Sequence, residues 1–127
     1  MTRLVLDAGA LIALDRDDRA VWARIVNAHR AEQSLVTHAG IVGQVWRRPA
    51  RQARLVAALK AVDVRPLDER LAHAAGLLLA ATRTADVCDA ALAALCDPAD
   101  VVLTRDIDDL SRLLTERSMT TVGLLRV

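Results

Sequence analysis

The chain has 127 residues, the size of one ordinary domain, and its 54% apolar content is enough to bury a core, which excludes a disordered segment. Lys and Arg number 17 against 16 Asp and Glu, so the net charge is +1 and any nucleic-acid contact must come from a local patch. Trp22 and Trp46 are the only aromatic residues, which excludes modules that stack bases on an aromatic sheet, such as RRM and OB folds.

Residues 3–6 form a short aliphatic run that Asp7, Ala8 and Gly9 end, the pattern of a buried parallel strand passing into a turn and a helix. Asp17 or Asp18 can cap the next helix, whose apolar Val21, Trp22, Ile25 and Val26 recur at helical spacing. Residues 35–37 predict a weak strand. Residues 41–47 and 51–62 predict two helices broken by Pro49. An edge strand follows at 62–67, with Pro66 limiting its pairing. Asp68 opens a helix to about residue 81, with Leu71, Ala75, Leu78 and Leu79 inward, and a second helix spans about 86–96. Residues 101–104 predict a strand, 108–116 a helix and 120–125 a last strand. No linker or repeat divides the chain, so 1–127 reads as a single α/β domain. Strands alternating with helices predict a short parallel sheet of four to five strands, flanked by helices on both faces.

Cys88 and Cys96 lie eight residues apart without a CxxC partner, so they read as buried, inert thiols suited to a reducing compartment. The apolar run after Met1-Thr2-Arg3 is cut short by Asp7 and does not resemble a signal peptide. The most apolar later stretch, 71–81, contains His73 and is too short to span a membrane. A cytoplasmic protein is expected.

In open α/β sheets, ligands bind beyond the carboxyl ends of the strands. Asp7 follows the first strand there and Asp106 follows the strand at 101–104. One acid at such a place simply marks where a strand leaves the core; two on one sheet point to a site. Asp86 and Asp89, three apart, share a helical face. Asp86 reads equally as an N-cap, whereas Asp89 sits in an otherwise apolar helix, where an acid needs a reason. Carboxylates brought together repel unless a cation lies between them. Oxygen ligands without His or Cys suit Mg²⁺ or Mn²⁺, and such a site suits phosphodiester hydrolysis. Between Gln33 and Val62 there is no acid, while Arg47, Arg48, Arg51, Arg54 and Lys60 form a basic strip fit to hold phosphates, or to pair with an acidic surface.

Three stretches in this order resemble the PIN domain, specifically the small VapC-like toxins of type II toxin–antitoxin pairs. They are Leu4-Val5-Leu6-Asp7-Ala8-Gly9 with the helix after it, Asp86-Val87-Cys88-Asp89-Ala90-Ala91, and Val101-Val102-Leu103-Thr104-Arg105-Asp106. The resemblance covers essentially the whole chain. It implies a Mg²⁺- or Mn²⁺-dependent endoribonuclease that cleaves RNA, forms a homodimer and is silenced by a cognate antitoxin protein. Carried over, the metal ligands are Asp7, Asp89 and Asp106, with Asp86 a further catalytic member and Arg47, Arg48 and Arg51 binding substrate phosphates. The chain departs from the family at Gln44, in Val42-Gly43-Gln44-Val45-Trp46-Arg47, where a Glu is usual. A Gln can orient a water or ligate through its amide oxygen but brings no charge.

The rival class is a catalytically weakened PIN-like module that binds RNA or a protein without cleavage. Gln44 favours it, and the repulsion among four retained acids opposes it. A phospho-receiver is excluded, because Asp7 is followed by Ala8 and Gly9 and the only lysine is Lys60. His29, His38 and His73 lack ligand spacing, and Trp46 is expected to pack against a helix or across a dimer interface.

Overall fold

The computed structural model describes residues 2–127. In chain order the elements are β1 (Leu4–Leu6), α1 (Ala8–Asp15), α2 (Arg19–Arg30), β2 (Leu35–His38), α3 (Ala39–Val45), a 3₁₀ turn (Pro49–Arg51), α4 (Ala53–Leu59), β3 (Val62–Arg65), α5 (Glu69–Thr82), α6 (Val87–Leu95), β4 (Val101–Thr104), α7 (Ile107–Glu116) and β5 (Gly123–Arg126). The five strands form one parallel sheet in the order β3-β2-β1-β4-β5. From β1 the chain moves outward to β2 and β3, then crosses back to β4 and β5. Right-handed crossovers in opposite directions require helices on opposite faces. Accordingly α1 packs with α2, α3 and α4, while α5 packs with α6 and α7.

Local chemistry sets the helix starts. Asp18 and Asp68 accept backbone N–H groups of the turns they precede, Asp18 from Ala20 and Val21 and Asp68 from Leu71. Asp17 instead takes a left-handed φ of 61°, so Asp18 is the cap. The helix expected over 51–62 is shorter. Pro49 begins a 3₁₀ turn, and Val62 already pairs with Leu35 of β2. The last strand starts three residues later than expected and ends one later, because a turn from Val122 N–H to the Met119 carbonyl consumes the residues before Gly123.

The core is aliphatic, with Val5, Leu6, Leu11, Leu14, Ile41, Leu55, Leu92, Leu103 and Leu110 fully buried. Both cysteines are free and buried. Cys96 donates its S–H to the Leu92 carbonyl at 3.3 Å, and burial pushes its thiol up to about 12. Where β1 and β4 begin, Arg3 forks onto Asp100, with Nε to Oδ1 at 3.0 Å and Nη2 to Oδ2 at 2.6 Å. Asp100 is 1% exposed, so this pair locks β1 to the segment leading into β4. Among the described residues no helix is long and apolar enough to cross a membrane.

Candidate functional site

The chain leaves β1 toward β2 on one side and returns to β4 on the other, so the crevice beyond the carboxyl ends of β1 and β4 is the switch point of this sheet. Asp7 lies there, 2% exposed. Its backbone N–H donates to the Leu103 carbonyl at 3.2 Å, continuing the β1–β4 ladder by one step. Its Oδ1 accepts the Ala10 N–H at 2.8 Å and caps α1, and its Oδ2 accepts the Arg105 N–H at 3.2 Å. Burial raises its carboxyl above the ordinary value, against hydrogen bonds from Thr104, Ala10 and Arg105, and Asp106 adds repulsion. Gly9 is required by close approach: a Cβ there would lie 2.7 Å from Cγ of Arg105, whose side chain lies across the first turn of α1.

Asp89 reaches the same region from the other helical layer. Asp86 caps α6 through its Oδ1, which accepts the Asp89 N–H at 3.0 Å. Asp89 itself is 7% exposed, and its carboxyl is raised to about 7. Burial is the largest cause, followed by the charges of Asp86, Asp106, Asp7 and Asp109. A field felt from all four places these acids in one neighbourhood. Asp106 occupies the N-cap position of α7, yet its side chain makes no capping bond; its N–H donates to Thr104 Oγ1 at 2.8 Å. Among the described residues none of Asp7, Asp86, Asp89, Asp106 and Asp109 has an ion-pair partner within 4.0 Å.

Buried polar side chains at the strand ends align these pieces, and composition did not single them out. Thr37 Oγ1 donates to the Leu6 carbonyl at 2.7 Å, fixing the end of β2 against β1. His38 is fully buried. Its Nδ1 accepts the Gly40 N–H at 3.1 Å, which leaves Nε2 as the donor to the Cys88 carbonyl at 2.8 Å. This bond ties the first turn of α6, and with it Asp89, to the end of β2. His38 is therefore a satisfied core histidine, with its pKa lowered by burial. The available signal was a polar residue at the end of each of two otherwise apolar strands, Thr37-His38 and Thr104. Asp109 also joins the acids, which its exposed place in the first turn of α7 did not advertise.

The remaining candidates lie on α3 and the turn after it. Gln44 is exposed and makes no hydrogen bond to the acids among the described residues. Arg47, Arg48 and Arg51 are exposed around the 3₁₀ turn, and Arg47 Nη1 donates to the Gly43 and Trp46 carbonyls at 3.0 and 2.7 Å. Trp46 is 39% exposed rather than packed away, because Val45 beside it takes the inward position at the end of α3.

The donor set suits a hard divalent cation in chemistry and in charge: oxygen ligands only, partly buried, mutually repelling and without a neutralising side chain. In position it falls short. Among the described residues no three His, Cys, Asp or Glu side chains are gathered into a group that could hold an ion as they stand.

The fold is PIN-like. A chain of VapBC2 from Rickettsia felis, solved bound to a DNA fragment from their promoter, matches it with a TM-score of 0.64 and 10% identity, over 100% of this chain and 99% of that one. No family model matches the chain, and no curated protein matches it in sequence.

Proposed function

We propose that this chain is a Mg²⁺- or Mn²⁺-dependent endoribonuclease, the toxin of a type II toxin–antitoxin pair, acting as a homodimer and held silent by a cognate antitoxin. The observation that carries this reading is Asp89: a buried carboxyl raised to about 7 by burial and by the charges of four other acids, with no basic side chain within 4.0 Å among the described residues. Burial of that carboxyl, with the repulsion of its neighbours added, costs stability, and a bound divalent ion offsets the cost. The PIN-like fold shared with a VapBC2 chain supports the toxin assignment and the antitoxin partner.

Asp7, Asp89 and Asp106 would hold the ion, which when bound polarises a phosphoryl oxygen and lowers the pKa of an attacking water. Asp7 is fixed on both oxygens and supplies a rigid reference point. Asp106, with no capping bond to break, is free to turn toward an ion. Asp86 strengthens the negative field, and Gln44 can orient a water or a substrate oxygen without adding charge. Arg47, Arg48 and Arg51 would take the phosphates of the RNA.

Calorimetric titration with Mn²⁺, followed by incubation with RNA, tests the reading. Binding and cleavage are expected, both lost in Asp106→Asn with melting unchanged. A second reading, a PIN-like module that binds RNA or a protein without cleavage, is favoured by Gln44 and by the absence of a ready three-carboxylate group among the described residues. Absence of Mn²⁺ binding in the parent protein would refute the first reading, and RNA binding without cleavage would then uphold the second.

A further inference from the structure

The segment after α3 combines an exposed aromatic ring, arginines without acidic partners and a pinned backbone. Trp46 leaves 39% of its surface in water, and no other large hydrophobic residue between 43 and 54 is exposed. Arg47, Arg48 and Arg51, all exposed, have no carboxylate within 4.0 Å among the described residues, whereas Arg54 meets Asp17 at 3.7 Å. The backbone that carries them is pinned from below. Gln52, 8% exposed, accepts the Arg47 and Arg48 N–H groups on Oε1 at 2.9 and 3.0 Å and donates from Nε2 to the Val45 carbonyl at 3.0 Å. Pro49 then starts the 3₁₀ turn, closed by the Arg51 N–H on the Arg48 carbonyl at 2.8 Å.

We propose that residues 46–51 form a preorganised platform for single-stranded RNA, with Trp46 stacking one unpaired base and Arg47, Arg48 and Arg51 gripping the flanking phosphates. The inference rests on the reading of RNA as substrate and names the residue that would select an unpaired base. One aromatic face among unpaired cations suits a base and its phosphates. A docking helix needs several apolar anchors at helical spacing, and this segment exposes only one. A duplex keeps its bases stacked internally and offers Trp46 nothing to stack on. The pinned backbone matters because side chains already presented lose less freedom on binding. Gln52 is a positioning residue that touches no nucleotide.

The test is binding of a fluorescently labelled oligouridine of about ten nucleotides to the whole protein in EDTA, where metal-dependent cleavage is absent. Quenching of tryptophan fluorescence that Trp46→Ala abolishes, Trp22 being the other tryptophan, and a log–log salt slope near −2 are expected for three phosphate contacts on a single strand. Arg48→Ala and Arg51→Ala should each reduce that slope by about 0.7. Trp46→Ala should weaken binding by about 5- to 140-fold, and Trp46→Phe should restore most of it. Circular dichroism verifies that each variant is folded. Equal binding by Trp46→Ala and the parent, or equal affinity for blunt duplex RNA, overturns the proposal. So does failure to bind RNA, including the case in which an acidic peptide quenches Trp46 instead and marks the strip as a protein interface. Oligouridine binding that needs Trp46, without cleavage in Mn²⁺, upholds the platform and refutes the nuclease. RNA cleavage at the parent's rate by Trp46→Ala does the reverse.

Discussion

Replacing Asp89 by Asn should make the metal-free protein more stable at alkaline pH and give no such gain in acid. The Asp89 carboxyl is raised from 3.8 to about 7 by burial and by the charges of Asp86, Asp106, Asp7 and Asp109. Below 3.8 it is protonated in both folded and unfolded chains and costs nothing. As pH rises toward 7 the unfolded chain releases this proton and the folded chain retains it, so stability falls by about 4 kcal/mol across the window. Asn removes that loss but brings an amide that needs a partner, at a cost of about 1–3 kcal/mol if it finds none. The net gain at about pH 8 is then roughly 1–3 kcal/mol, or about 4–12 °C in melting temperature for a domain of this size. Thermal melts of both proteins in EDTA at about pH 5 and about pH 8 measure it. Other groups shift too: Asp7 is raised, and His38 is lowered, so its contribution is present above 6.5 and lost as pH falls. The difference between parent and variant largely cancels both. A difference that is the same at the two pH values would refute the reasoning. Saturating Mn²⁺ should cancel or reverse the variant's advantage at high pH, since an ion at a hundred times its Kd adds about 2.7 kcal/mol to the parent alone.

Two predictions concern the frame around the acids. Arg3→Met leaves Asp100, 1% exposed, without its cation and should cost about 3–5 kcal/mol in urea unfolding; a loss under about 1 kcal/mol would show that the Asp97 backbone N–H, which donates to Asp100 Oδ2 at 2.7 Å, suffices together with water. Gly40→Ala places a Cβ 2.9 Å from His38 Cε1, 2.9 Å from Leu67 Cδ2 and 3.1 Å from Cys88 Sγ, where the imidazole cannot yield without losing its two hydrogen bonds. It should destabilise by about 1–3 kcal/mol, whereas Gly43→Ala, with nothing within 4 Å, should not, and equal melting temperatures for the two would contradict the packing.

Most of the framework was legible because its signals are local. The runs at 4–6 and 101–103 are wholly apolar and short, the mark of buried parallel strands, and the acid beyond each marks the carboxyl edge. Boundaries were less legible: apolar residues alone do not separate the end of α4 from β3, which the pairing of Val62 with Leu35 decides, and the turn closed by the Val122 N–H on the Met119 carbonyl sets the start of β5 at Gly123. The acids at 7, 86, 89 and 106 could be named from their setting, yet the mutual field on Asp89 depends on α6 and α7 docking from one layer onto a sheet whose other face carries α1. Asp109 entered that field through tertiary packing alone. The partners of Thr37, His38 and Gln52 were illegible for a related reason. Each satisfies backbone groups of its own and other elements, and sequence spacing carries no record of such partners.

The carboxylates at helix starts also show how a structural role can hide a chemical one. Asp18, Asp68 and Asp86 all cap helices, so an Asp before a helix here is by default a cap. Asp7 caps α1 as well and in addition holds the Arg105 N–H. Asp7→Asn looks from sequence like a clean probe of metal-dependent activity, but it turns an amide donor toward either Ala10 or Arg105, each already a donor. Lost activity there would report a strained strand end as readily as a missing ligand. Asp106 stands in a cap position and caps nothing, and Asp89 is buried at the cost of its own ionisation. Neither has a structural task to lose, and a loss of cleavage in Asp106→Asn with unchanged melting would therefore speak to chemistry alone.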